Sequence, residues 1–125
     1  MNRFLRLFRF GNGIMGILGV IIAAFMAAGF DIGGHLQNLI ISCAVVLAFM
    51  AGGNSLNDYI DRDIDRTAHP DRPLPKGEIE PRTALILGVS GLAIASLLSV
   101  AMMSFIATAI VVVAAALMIS YELFL

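Results

Sequence analysis

Polar and apolar positions are segregated along this chain into blocks. Charge is confined to residues 3–9, to residues 58–82 and to three isolated positions, Asp31, His35 and Glu122, and everything between is apolar or small. Crossing a bilayer as a helix takes roughly 20 predominantly apolar residues, and four stretches reach that length, at about 11–30, 36–56, 83–102 and 104–121. The last two have no charge between them, which predicts a tight helical hairpin. Small residues such as Gly88, Gly91, Ala93 and Ala95 lie within the spans, and small residues let membrane helices approach closely. The pattern predicts an all-α integral membrane bundle of about four transmembrane helices. It forms one domain over residues 1–125, with a polar loop at 57–82.

Composition supports this solvent assignment. The chain is 59% hydrophobic and 14% charged, with a mean hydropathy of +0.92, whereas soluble domains average about 25% charged residues. Arg3, Arg6 and Arg9 before an apolar run resemble the start of a signal peptide. The run, however, is longer than the roughly 7–15 residues of a signal core. Lys and Arg gather on the cytoplasmic side of a membrane protein. The amino-terminal tail carries three, and the central loop carries Arg62, Arg66, Arg72, Lys76 and Arg82. The stretches near 31–35 and 102–104 carry none. Both termini and the central loop are therefore expected on the cytoplasmic face of the cell membrane. The net charge of −1 suggests no nucleic-acid partner. Cys43 is alone, so it has no internal disulfide partner and no metal-ligand spacing. The seven Met read as filling for the bundle.

Residues 51–82, AGGNSLNDYIDRDIDRTAHPDRPLPKGEIEPR, carry the chemistry. Acidic side chains at the end of a membrane span are costly and point to function. On a helix of 3.6 residues per turn, Asn54, Asn57, Asp58, Asp61 and Asp65 fall within an arc of roughly 100°. Asp63 falls nearly opposite, with Leu56, Ile60 and Ile64 around that other side. Carboxylates at such spacing are neighbours and repel, so something cationic must offset them. Oxygen-only ligands select hard cations such as magnesium or calcium, and magnesium commonly joins a few carboxylates to substrate phosphates. A lipid with a diphosphate head, its tail in the bundle, suits a stripe placed where a span meets the cytoplasm. A merely solvated acidic face and a proton or cation relay are the competing readings. An EF-hand is disfavoured because no Gly follows the alternating acids; Arg66 does.

Pro70, Pro73, Pro75 and Gly77 rule out a continuous helix beyond the stripe. Arg72 and Lys76 thus sit in a stiffened turn, where they can act as phosphate ligands, Arg as a bidentate fork and Lys as a point charge. The loop would then fold over the diphosphate as a lid; otherwise these are ordinary cytoplasmic-side cations. Arg62 and Arg66 read as i,i+4 partners for Asp58 or Asp65, His69 as a solvated loop residue, and His35 has no assigned role.

Asn57-Asp58-Tyr59-Ile60-Asp61-Arg62-Asp63-Ile64-Asp65 resembles the NDxxDxxxD motif of UbiA-type membrane prenyltransferases. Arg72-Pro73-Leu74-Pro75-Lys76-Gly77 resembles the RPxxxG segment of that family. Arg9 and Asn12 are similar to the Arg-Pro-x-Asn start of the family's first helix, with Phe10 in place of the proline. The flanking residues are most similar to the archaeal ether-lipid branch, whose members geranylgeranylate geranylgeranylglyceryl phosphate. The resemblance implies magnesium-dependent transfer of a prenyl group from a prenyl diphosphate to a lipid acceptor. It implies Asp58, Asp61 and Asp65 as catalytic and metal-holding residues, with Asn57 on the metal. It implies Asn54, Asn57, Arg72, Lys76, Arg9 and Asn12 around the diphosphate.

The chain departs from the family in lacking a second Asp-rich motif and further spans. Three alternatives follow: an amino-terminal part whose carboxyl-terminal half is missing, a complete protein that works as a homodimer, or a non-enzymatic membrane protein that binds a divalent cation or a polyprenyl phosphate.

Overall fold

The computed structural model describes residues 1–124; Leu125, the last residue of the expected domain, lies outside the described residues. Six helices follow in order: α1 (Arg3–Leu7), α2 (Phe10–Ala28), α3 (Leu36–Ile60), α4 (Arg62–Ala68), α5 (Pro81–Val100) and α6 (Phe105–Phe124). A 3-10 turn, Gly29–His35, joins α2 to α3. Among the described residues three helical runs are long and apolar enough to cross a membrane: Phe10–Ile60, Pro81–Val100 and Phe105–Phe124. The first, 51 residues long, contains both α2 and α3 folded against each other, because the glycines of the 3-10 turn let the chain reverse.

Small residues set how the helices meet. Along α2, Gly13 faces Leu47 and Gly16 faces Val46 and Met50 of α3, an antiparallel pairing. The closest approach is between α3 and α5. A Cβ built on Gly91 would lie 2.6 Å from the Cα of Gly52, and one on Gly52 would lie 2.7 Å from the backbone nitrogen of Leu92. One turn further, a Cβ built on Gly88 would lie 3.0 Å from both the backbone nitrogen and the Cβ of Leu56. At Gly52 and Gly91 the atoms met are all backbone, and they cannot swing away. Leu56, Leu92 and Ala115 bury one another beside this contact and join α6 to the pair. α5 opens with Pro81 in its first turn, where the missing N–H costs nothing.

A second core holds the polar end together. Leu7 of α1 is fully buried against Leu74, Ile79 and Ala84. The short amino-terminal helix thus serves as the floor of the Pro-rich loop. Arg3 donates to the Glu78 carbonyl at 3.2 Å, Arg6 pairs with the Glu78 carboxylate at 2.9 Å, and Arg6 also donates to the Asp71 carbonyl. The Pro-rich loop is fastened to α1 by apolar and ionic contacts.

The glycine contact generates a stability prediction. Gly91→Val, placed against backbone, is expected to cost about 1–3 kcal/mol by overpacking, read as earlier unfolding in detergent. Gly19→Ala, where nothing lies within 4 Å, is expected to leave unfolding unchanged.

Candidate functional site

The acidic stripe survives a break in its helix. α3 ends at Ile60 and α4 begins at Arg62, yet the backbone bonds continue through the junction. Asp61 N–H donates to the Asn57 carbonyl at 2.9 Å, and Asp65 N–H to the Asp61 carbonyl at 2.8 Å. The face is therefore preserved: Asp58 and Asp65 are each 2% exposed, Asn57 and Asp61 are half-buried, and Asp63 and Ile64 point outward.

Two buried carboxylates demand cations, and two guanidiniums meet them. Arg9 pairs with Asp58 at 2.9 Å, and Arg72 pairs with Asp65 at 2.7 Å while lying 3.7 Å from Asp58. The result is a chain of alternating charge, Arg9, Asp58, Arg72, Asp65, that joins the α1–α2 junction to the stripe and the stripe to the Pro-rich loop. Arg9 reaches it because its own backbone is left-handed, φ 52° and ψ 61°. Such a conformation in a non-glycine residue costs roughly 1–3 kcal/mol and persists only where its surroundings enforce it. Here it turns the chain sharply from α1 into α2 and aims the guanidinium back at α3. Arg6, Arg9, Asp58, His69, Asp71 and Arg72 border a polar cavity of about 420 Å³ at this end of the bundle.

The amides are held as firmly as the acids. Asn57 accepts from Arg9 at 3.2 Å through its oxygen, and its nitrogen donates to Asp61 at 3.2 Å and to Glu122 at 3.1 and 3.2 Å. Asn54 donates to the Phe8 carbonyl at 2.9 Å, which pins the same α1–α2 junction that carries Arg9.

Several expectations are corrected by this geometry. Arg62 and Arg66 are not the partners of Asp58 and Asp65. Arg62 lies over the Tyr59 ring at 4.4 Å and donates to the Tyr59 carbonyl, and Arg66 faces Asp63 at 3.7 Å. Arg72, far along the chain, takes the role because the loop folds back. Lys76 stands outside the cavity, 3.9 Å from Glu78. Asn12 is exposed on α2. His69, read as solvated, is exposed but borders the cavity. Two site residues were missed, Arg6 and Glu122; both were visible only as a basic residue in a tail and a lone acid in a span.

The expected metal set of Asp58, Asp61, Asp65 and Asn57 does not form a cage by itself. Among the described residues no three Asp, Glu, His or Cys side chains converge to hold a metal ion, because Asp58 and Asp65 are turned to guanidiniums. The donor chemistry still fits magnesium. Carboxylates border the polar cavity, and magnesium is usually held by one or two carboxylates together with substrate phosphates.

Helices apolar enough to cross a bilayer thus carry, at one end of the bundle, an Asp-rich helix end and two arginines around a polar cavity. Residues 17–125 match the model of the UbiA prenyltransferase family, and the chain belongs to that family. It is 36% identical over 115 residues to digeranylgeranylglyceryl phosphate synthase of Natronomonas pharaonis, covering 92% of this chain and 40% of that protein. It is 43% identical over 91 residues to the synthase of the same name from Thermococcus gammatolerans, covering 70% of this chain and 31% of that one. A solved structure described as that of digeranylgeranylglyceryl phosphate synthase in membranes superposes with a TM-score of 0.88 at 31% identity. The match covers 96% of this chain and 42% of that one. The chain therefore spans between 31% and 42% of the length of these relatives.

Removing one partner of a buried ion pair typically costs 3–5 kcal/mol. Arg9→Ala is accordingly expected to lower stability by about 3 kcal/mol, measured by denaturant unfolding in detergent. Arg66→Ala, whose partner Asp63 has a side chain 74% exposed, is expected to change it little.

Proposed function

We propose that this chain forms the diphosphate-binding part of a magnesium-dependent membrane prenyltransferase. The proposed reaction moves a geranylgeranyl group from its diphosphate to a lipid acceptor, geranylgeranylglyceryl phosphate. The observation that carries this reading is the alternating chain of Arg9, Asp58, Arg72 and Asp65 at one end of an apolar bundle, with Asp61 beside it. Family membership and the named relatives support the substrate classes. The transfer belongs to a site completed by the rest of the relatives' fold, or by a second copy of this chain. The polar end is proposed to face the cytoplasm, since every Lys and Arg lies in the tail or the central loop.

In this mechanism the allylic carbon–oxygen bond to the diphosphate breaks, a bond from that carbon to the acceptor hydroxyl oxygen forms, and the hydroxyl proton passes to the released diphosphate. Of the stripe Asp58, Asp61, Asp65 and Asn57, the carboxylates, Asp61 first because Asp58 and Asp65 are paired with arginines, would hold magnesium together with the diphosphate, and the ion would supply charge stabilisation for the departing group. Arg9 and Arg72 present guanidinium forks that can take up phosphate oxygens. They also stabilise the negative charge that grows there as the bond breaks. Arg6 and α1 hold the loop that carries Arg72, so the fork is placed before substrate arrives. The apolar helix faces receive the prenyl tail and keep water from the cation-like carbon.

The test is binding of geranylgeranyl diphosphate to the purified chain in detergent, with magnesium and then with EDTA. Binding that EDTA abolishes is expected. Asp61→Asn, at a half-buried position, is expected to weaken it at least tenfold without unfolding the chain, and Asp63→Ala to leave it near the original value. Equal losses from both variants would contradict the one-sided stripe. Magnesium-independent binding, or none, would contradict the proposed role of this part.

A further inference from the structure

Glu122 is the only charged residue between Thr83 and the end of the chain. Its neighbours in the last turn of α6, Tyr121, Leu123 and Phe124, are 62%, 63% and 82% exposed, whereas Glu122 is turned inward and half-buried. This is the reverse of what hydropathy alone dictates, and a carboxylate at the end of an apolar helix needs a compensating contact. The contact is the Asn57 side chain, whose nitrogen lies 3.1 and 3.2 Å from the two Glu122 oxygens.

We infer that Glu122 is a positioning residue that fixes the orientation of the Asn57 amide. A guanidinium only donates hydrogen bonds and a carboxylate only accepts them. Arg9 therefore selects the Asn57 oxygen, while Asp61 and Glu122 select its nitrogen and take one N–H each. With its N–H groups taken by Asp61 and Glu122 and its oxygen accepting from Arg9, the amide is held in one orientation, its oxygen beside Arg9 and Asp58. Without Glu122 one N–H is released and only Asp61 holds that side. The same contact ties α6 to the motif, so the end of the last helix is coupled to the amide at the site. Its functional consequence rests on the reading of Asn57 as part of the diphosphate site.

The effect of charge separates this role from an electrostatic one. If Glu122 acted only as a negative charge near an anion site, removing it would tighten diphosphate binding. If it positions Asn57, Glu122→Ala weakens binding and Glu122→Gln, whose side-chain oxygen accepts from the same N–H, restores it. The experiment compares the chain with Glu122→Ala and Glu122→Gln in detergent by two readouts. The first is the side-chain amide proton signal of Asn57, assigned by its loss in Asn57→Asp. The second is magnesium-dependent binding of geranylgeranyl diphosphate. Slow amide exchange is expected in the original chain and in Glu122→Gln, and fast exchange in Glu122→Ala. A loss of affinity on the order of tenfold is expected for Glu122→Ala alone, the worth of one hydrogen bond to a charged group. An amide signal unchanged in Glu122→Ala, or Glu122→Gln behaving like Glu122→Ala, overturns the inference. Failure of the original chain to bind the diphosphate counts against the proposed function, and the amide signal still decides the role of Glu122.

Discussion

Two carboxylates buried where a membrane helix ends must be paired with cations, and most of the polar half of this molecule follows from that requirement. Asp58 and Asp65 are almost wholly buried, and an unpaired charge in that position would be prohibitive. The cations come from opposite directions in the chain. Arg9 comes from the amino-terminal side through a left-handed turn, and Arg72 from the carboxyl-terminal side through a proline-stiffened loop. Each needs its own support. Asn54 fastens the turn through the Phe8 carbonyl, and Leu7 with Arg6 fastens the loop. The short α1 helix, with little of its own to bury, is what lets both supports exist.

The apolar half obeys a simpler constraint. α3 carries the motif, and its orientation is set where Gly52 lies against Gly91 and Gly88 lies beneath Leu56. The contact is backbone on backbone, so it leaves little freedom to rotate α3 about its axis. That orientation aims Asn57, Asp58 and Asp61 at the arginines rather than at lipid. Packing at the glycines and pairing at the carboxylates are two ends of one arrangement.

Much of this is legible in the residues themselves. Blocks of apolar residues reveal the helices, and the spacing of Asn57, Asp58, Asp61 and Asp65 reveals their shared face. The outward position of Asp63 follows from the same periodicity. What the sequence hides is the pairing of distant groups. Local helix rules assign Arg62 and Arg66 to the acids because they are close along the chain, but Arg62 lies over Tyr59 and Arg66 faces the exposed Asp63. Arg72 wins only because the loop returns to α3, and Lys76, four residues on, points away to Glu78. The support that α1 gives the loop, and the link from Glu122 to Asn57, join residues more than sixty positions apart and have no local signature.

The Arg72–Asp65 pair holds the loop to the stripe. A double-mutant cycle measures it most directly: unfolding in detergent of Asp65→Asn, Arg72→Gln, the double variant and the original chain. A coupling energy of about 1.5 kcal/mol or more is predicted, within the range for groups in one network. A coupling near zero, with each substitution simply adding to the other, would show that the two side chains do not depend on each other and that other contacts hold the loop.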